Sequence, residues 1–239
     1  MEQRYGKCKP RFRYISMAPR PVTERHASGH SRLPAVLPDF PADGFAVKVG
    51  RMRLFVAIDP SPQLHAVVSE LLAELRRVRT ATNASWTKAD NLHFTLQFLG
   101  EVEEARLPAV QEALGAAARG QASFELEFVG WGVFPNRDRP RVLWLGCAEP
   151  VAPMVALADA VACALEPLGF AREARPFHPH LTLARLRQPW LDDALVRRLN
   201  ARATQPLGRM RVEELHLYES RLRPTGAEYQ RHGSYRLAG

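Results

Sequence analysis

The chain has 239 residues, 46% hydrophobic and 24% charged, an ordinary globular composition that excludes collagen, low-complexity polymer and wholesale disorder. At about 100–200 residues per domain it has room for one large or two small domains, with a core that needs neither disulfides nor metals. The formal net charge of +8 is unevenly spread: residues 1–51 carry 10 Lys/Arg and 4 Asp/Glu, whereas residues 52–239 carry 23 and 21. A body so nearly neutral points to a local anion pocket over a long basic track.

Residues 1–51 hold six prolines and no sustained hydrophobic period, so they read as a basic, Pro-rich, unstructured N-terminal extension without an apolar signal core. The alternative is that the natural start is Met52, where Met52-Arg-Leu-Phe-Val-Ala-Ile-Asp59 opens like a first strand. The expected division is therefore an extension over 1–51 and a single domain over 52–239. No apolar run approaches the roughly 20 residues of a membrane helix; the longest candidate, Val151 to Leu165, is interrupted by Asp159. Cys8, Cys147 and Cys163 form no CxxC pair and no even framework, which favours a reducing, cytoplasmic setting and argues against a zinc ribbon.

The body alternates strands and helices irregularly. Leu54 to Ile58 is β-rich. Ser61-Pro62 then caps a helix whose apolar residues, Leu64 through Leu75, recur at helical spacing and end at Arg76-Arg77. Leu92 to Leu99 reads as a strand, and Pro108 to Arg119 as a helix. Phe124, Leu126 and Phe128 alternate with Glu125 and Glu127 as in a half-buried strand. A turn-rich basic loop runs from Phe134 to Pro140, before a buried strand at Val142 to Leu145. A helix is expected over Val151 to Leu168 with Gly169 as its stop. Then come a strand at His180 to Leu186, a helix from Pro189 to about Ala203, a strand at Arg211 to Ser220, and a short strand near Tyr229 to Leu237. This order reads as α+β with antiparallel pairs.

Two segments look like copies of each other: Leu92-His-Phe-Thr-Leu96 and Pro179-His-Leu-Thr-Leu183. In a strand, residues two apart face the same side, so each motif shows one imidazole and one hydroxyl while Phe94, Leu96, Leu181 and Leu183 turn inward. Two histidines suit a reaction that needs an acid and a base together near neutral pH. Thr95 and Thr182 are short donors for the oxygens of a tetrahedral anion, and Arg185 adds a charge-assisted donor. A phosphate held between two such strands would have an acid on one side and a base on the other; the near-identical motifs do not say which is which.

At these residues the chain resembles the 2H phosphoesterase superfamily, and within it the LigT-like RNA 2′,3′-cyclic phosphodiesterases, historically called 2′-5′ RNA ligases. The likeness runs over about 52–239. It rests on Met52–Asp59, Asn91-Leu-His-Phe-Thr-Leu-Gln-Phe-Leu-Gly100, Phe134-Pro135, Arg141–Gly146, Phe177-His-Pro-His-Leu-Thr-Leu-Ala-Arg185, and Leu215–Leu222 before Gly226 and Tyr229. The resemblance implies a bilobal α+β fold with pseudo-two-fold symmetry, antiparallel sheets, outer helices and a central cleft. It implies metal-independent, cofactor-free opening of an RNA-terminal 2′,3′-cyclic phosphate to a 2′-phosphomonoester, reversible as 2′-5′ ligation. It makes His93 the proton donor and His180 the proton acceptor, with Thr95 and Thr182 on the phosphate oxygens.

On the substrate side, Phe134 beside Arg137, Arg139 and Arg141 is a candidate for stacking a terminal base, whereas Trp131 and Trp144 read as core packing and His178 as a bystander. The expected partner is RNA or an oligonucleotide with a 2′,3′-cyclic phosphate end, with no membrane and a monomeric chain. The competing readings are a metalloenzyme using His93, His178 and His180, an RNA-binding module without turnover, and a phosphoesterase acting on ADP-ribose cyclic phosphate or 2′-5′ oligoadenylate.

Overall fold

The structure is a computed structural model that describes residues 50–78, 84–148, 150–224 and 226–239. The expectations for the basic extension and for Cys8 lie outside the described residues. Along the chain run β1 (Arg51–Ile58), α1 (Pro62–Arg76), β2 (Ala84–Trp86), β3 (Phe94–Glu103), α2 (Leu107–Arg119), β4 (Phe124–Phe134) and β5 (Val142–Cys147). They are followed by α3 (Ala152–Leu165), β6 (His180–Leu186), α4 (Asp193–Asn200), β7 (Gly208–Val212), β8 (Glu214–Arg223) and β9 (Gly226–Arg236).

The strands form two antiparallel sheets, one in the order β3-β1-β8-β9 and the other β2-β6-β5-β4-β7. The unit strand–helix–strand occurs once in each: β1-α1-β3 in the first and β5-α3-β6 in the second. Their registers match. Ala57 pairs with Thr95 and Val56 with Gln97, leaving Leu96 as an extra residue; Trp144 pairs with Thr182 and Leu143 with Ala184, leaving Leu183. Both His-x-Thr-Leu motifs thus carry a bulge at the same leucine, and bulges re-aim the side chains beside them. This is an α+β fold with an internal two-fold repeat, as the alternation and the doubled motif predict.

Local chemistry sets the element ends. The Ser61 side chain accepts from the Leu64 N–H at 3.3 Å, Pro62 opens α1 without an N–H to satisfy, and Leu64, Val68, Leu71, Leu72 and Leu75 are buried. The stop after α3 is Gly169, with φ of 81°, a conformation that glycine adopts without a Cβ penalty. Among the described residues the main hydrophobic core is filled by Leu54, Val56 and Ile58 of β1, Phe94 of β3, Phe128 of β4, Leu143 of β5 and Leu181 and Leu183 of β6, and a second, smaller cluster joins Phe55, Ala57 and Tyr218.

Two expectations need correction, and one strand goes unread in the sequence. The helix predicted from Pro189 begins at Asp193, because the Asp192 carboxylate accepts from the N–H groups of Ala194 (2.8 Å) and Leu195 (3.4 Å) and caps it there. The strand predicted over Arg211 to Ser220 is two strands: β7 pairs with β4, then the chain passes Glu213 into the other sheet, where β8 pairs with β1 and β9. β2 is absent from the sequence reading, since three residues are too few to show a period.

Candidate active site

The faces of β3 and β6 that carry the two motifs are half-buried at His93, Thr95, His180 and Thr182, while Phe94, Leu96, Leu181 and Leu183 are buried beneath them. Each histidine lies at the head of its strand and is fixed in the same way. His93 Nδ1 is 2.8 Å from the carbonyl oxygen of Asn91, and His180 Nδ1 is 2.7 Å from that of His178. A carbonyl only accepts, so Nδ1 carries the proton in both rings and donates it. Nε2 is then the nitrogen that gains and loses a proton. Asn91 is itself anchored, its Nδ2 donating to the Ala227 carbonyl of β9 at 2.7 Å.

Each ring also rests on two aromatics. The His93 ring lies 4.9 Å from Phe55 and meets Tyr229 edge-on at 5.2 Å. The His180 ring meets Phe134 edge-on at 4.9 Å and lies 6.3 Å from Trp144. Burial among these rings lowers the pKa of both histidines from the usual imidazole value, only partly offset by the backbone hydrogen bond each makes. The positive charges of His180 and Arg185 press His93 further down, and those of His178 and Arg185 do the same to His180. Both imidazoles therefore lie within electrostatic reach of one exposed guanidinium, Arg185.

The carboxylates differ. Asp59 raises the pKa of His93, and Glu173 that of His180. Asp59 is held by the Tyr218 hydroxyl at 2.8 and 2.9 Å and by Arg231 Nη2 at 2.5 Å. Buried His216 lies behind it, Nε2 3.6 Å from Asp59 and Nδ1 2.9 Å from the Ser234 hydroxyl. Burial and the Asp59 hydrogen bond push the Tyr218 phenol up to about 12, so it donates throughout the physiological range.

Comparison with known proteins places the chain in a family. The profile of the 2′-5′ RNA ligase superfamily matches residues 67–223. The chain belongs to that superfamily. Among curated relatives, the RNA 2′,3′-cyclic phosphodiesterase of Archaeoglobus fulgidus is 36% identical over 181 residues, covering 75% of this chain and 97% of that protein. The protein of the same name from Thermotoga maritima is 32% identical, covering 75% of this chain and 92% of its own. The crystal structure of Escherichia coli LigT in apo form superposes with a TM-score of 0.62 at 28% identity, over 79% of this chain and 99% of that one. The crystal structure of TT0787 of Thermus thermophilus gives 0.64 at 28% identity, over 79% and 99%.

Of the residues singled out in the sequence of this superfamily member, the structure brings His93, His180 and Arg185 within mutual electrostatic reach and sets Thr95 and Thr182 beside the histidines on the same strand faces. Phe134 is half-buried against His180, His178 and Trp144. Trp144, read as core packing, is a correction: it pairs with Thr182 and lies on the motif face, 4.8 Å from His178. Alternation along β4 and β5 sends Trp131 the other way, onto the core, with Arg137 5.4 Å above its ring. His178 is more than a bystander, since its carbonyl orients His180 and its ring packs on Trp144. The sequence reading gives Phe55, Asp59 and Tyr229 no role at the site. The alternation along β1 contains the signal for Phe55, and Asp59 and Tyr229 stand among the residues that carry the resemblance without marking what they contact. Among the described residues, no three His, Cys, Asp or Glu side chains converge as metal ligands.

Proposed function

We propose that the chain hydrolyses the 2′,3′-cyclic phosphodiester at an RNA 3′ end to a 2′-phosphomonoester, with the chemistry in residues 52–239. His180 Nε2 takes a proton from water as the water oxygen bonds to phosphorus. His93 Nε2–H gives a proton to the 3′ oxygen as the P–O3′ bond breaks. The two protons balance, and exchange with solvent resets both rings. Thr95, Thr182 and Arg185 hold the non-bridging oxygens as negative charge builds on them. With a 5′-hydroxyl in place of water, the same groups in the same roles join a 2′,3′-cyclic end to it: His180 takes the hydroxyl proton as its oxygen bonds to phosphorus, and His93 protonates the departing 3′ oxygen; their roles exchange only when the 2′-5′ bond is cleaved back to the cyclic phosphate.

The observation that carries this reading is the matched pair of imidazoles, each with Nδ1 committed to the carbonyl two residues back and Nε2 left for proton transfer. The choice of His93 as acid is supported by Asp59, a half-buried carboxylate held in place by Tyr218 and Arg231 that favours its protonated form, whereas Glu173, which acts likewise on His180, is exposed. The names of the curated relatives support the cyclic phosphate as substrate. No helix among the described residues is long and apolar enough to cross a membrane. We assign the chain to the cytoplasm as a monomer, on its cysteine usage and the lack of a leftover apolar stripe in its sequence.

Product analysis tests the proposal. Incubation with a nucleoside 2′,3′-cyclic phosphate should give the 2′-phosphate by ³¹P NMR, at a rate that EDTA leaves unchanged. A 3′-phosphate product would mean that the other ester bond breaks.

A further inference from the structure

The motif face of the first sheet continues past His93. Along β1 the residues on that face are Ala57, Phe55, Arg53 and Arg51, with Leu54, Val56 and Ile58 turned into the core. On β3, Phe98 pairs with Phe55 and Glu101 with Arg53. Phe98 is 56% exposed, unusual for a phenylalanine, and its ring lies 6.1 Å from that of Phe55, which in turn supports His93. Beyond it opens a cavity of about 450 Å³ lined by Arg51, Arg53, Arg221 and Arg223 with Glu101 and Glu219.

Three of these arginines are engaged. Arg51 pairs with Glu103 at 3.8 Å, Arg221 holds Glu219 through two contacts of 3.0 Å, and Arg223 pairs with Glu228 at 3.3 Å. Arg53 makes no ion pair among the described residues; Glu101 faces it across the ladder without coming within 4.0 Å. Its charge is nonetheless felt at the catalytic end: Arg53 and Arg185 both act on the Tyr229 phenol, the ring edge-on to His93. Arg53 is four residues along β1 from Ala57, the partner of Thr95, or about 13 Å at the usual strand rise.

We propose that Phe98 and Arg53 form a second subsite that takes the nucleotide preceding the cyclic end, Phe98 stacking a base and Arg53 gripping a backbone phosphate, so that the preferred substrate is an oligonucleotide. The proposal rests on the cyclic-phosphate reading. An exposed aromatic next to an uncompensated guanidinium is the pair of contacts that single-stranded RNA offers at each step, a π-face and an anion. A lone nucleoside cyclic phosphate seated between the histidines has no further phosphate to offer Arg53. The exposed apolar side chain of Leu222, on the cavity rim, extends the surface for a sequence-tolerant stack.

The test compares kcat/KM for a trinucleotide ending in a 2′,3′-cyclic phosphate with that for the matching mononucleotide, in wild type, Arg53→Ser and Phe98→Ala. Wild type should favour the trinucleotide. Each variant should reduce the trinucleotide-to-mononucleotide ratio about tenfold, the scale of one lost stack or phosphate contact. Arg53→Ser should also flatten the salt dependence for the trinucleotide by about one unit of slope. A wild-type ratio near one, or variants that lower both substrates equally, would overturn the subsite while leaving hydrolysis intact. Failure of wild type to turn over either substrate would instead overturn the cyclic-phosphate reading itself, and the subsite with it.

Discussion

Asp59 occupies beside His93 the place that Gly146 occupies beside His180. Gly146 is the strand partner of His180, and Asp59 follows Ile58, the partner of Phe94, which puts it across from His93. The two halves of the site are thus built on one plan but differ in how a carboxylate is held. Asp59 is half-buried and fixed by Tyr218 and Arg231 where it favours a proton on His93, whereas the carboxylate that favours one on His180, Glu173, is exposed to solvent screening. An acid and a base made from the same residue type need such an asymmetry.

Replacing Asp59 with Asn keeps the Tyr218 contact in shape and removes the charge. His93 should then release its proton at lower pH. Because the acid must be protonated to act, the high-pH limb of the kcat/KM profile should move to lower pH, with the low-pH limb, set by His180, nearly fixed. Movement of the low-pH limb instead would assign the acid to His180.

Truncation of either imidazole removes one proton-transfer partner. His93→Ala and His180→Ala should each lower kcat by about 10²–10⁴, and Thr95→Ala or Thr182→Ala by less. Circular dichroism should match wild type, since both rings are half-buried on the motif face and outside the main core. Retention of more than a tenth of the activity in either His→Ala variant would remove that histidine from the mechanism.

Gly132 pairs with Trp144, whose indole lies across it: a Cβ at Gly132 would fall 2.3 Å from Trp144 Cζ2. Gly132→Ala therefore forces the indole to shift, and with it Phe134 and the ring of His180. The cost should be about 1–3 kcal/mol in urea unfolding, the range for overpacking, with a fall in kcat. Unchanged stability and turnover would mean that Trp144 does not position His180.

Three histidines, His93, His180 and His216, have pKa values lowered by burial. Below the unfolded value of about 6.5, the unfolded chain binds protons that the native fold refuses, so stability falls as pH drops through the window down to the native values. Denaturation at pH 7 and pH 5.5 should show that loss. The variant His180→Gln should lose less, having one such group fewer, and a larger loss in it would contradict the assignment.

Much of this was legible in the sequence because it is local. The helical spacing of Leu64 through Leu75, the Ser61-Pro62 cap and the repeated His-x-Thr-Leu each occupy one stretch of chain. What escaped was set by register between distant strands. Trp144 reads as a core residue until it is paired with Thr182, Asp59 as a strand end until Tyr218 and Arg231 close on it, and Tyr229 as the start of a short last strand until β9 lays it against His93. The split of one expected strand into β7 and β8 is of the same kind, since the two sheets that claim its halves are assembled from the whole chain.

The central claim is that one phosphate engages both imidazoles. It is tested most directly by following the ¹⁵N resonances of both rings while a nucleoside 2′-phosphate is added. The account predicts that Nε2 of His93 and of His180 shift together with one binding constant, and that both pKa values rise as the anion favours their charged forms. A response confined to one ring, or two rings saturating with different constants, would contradict it.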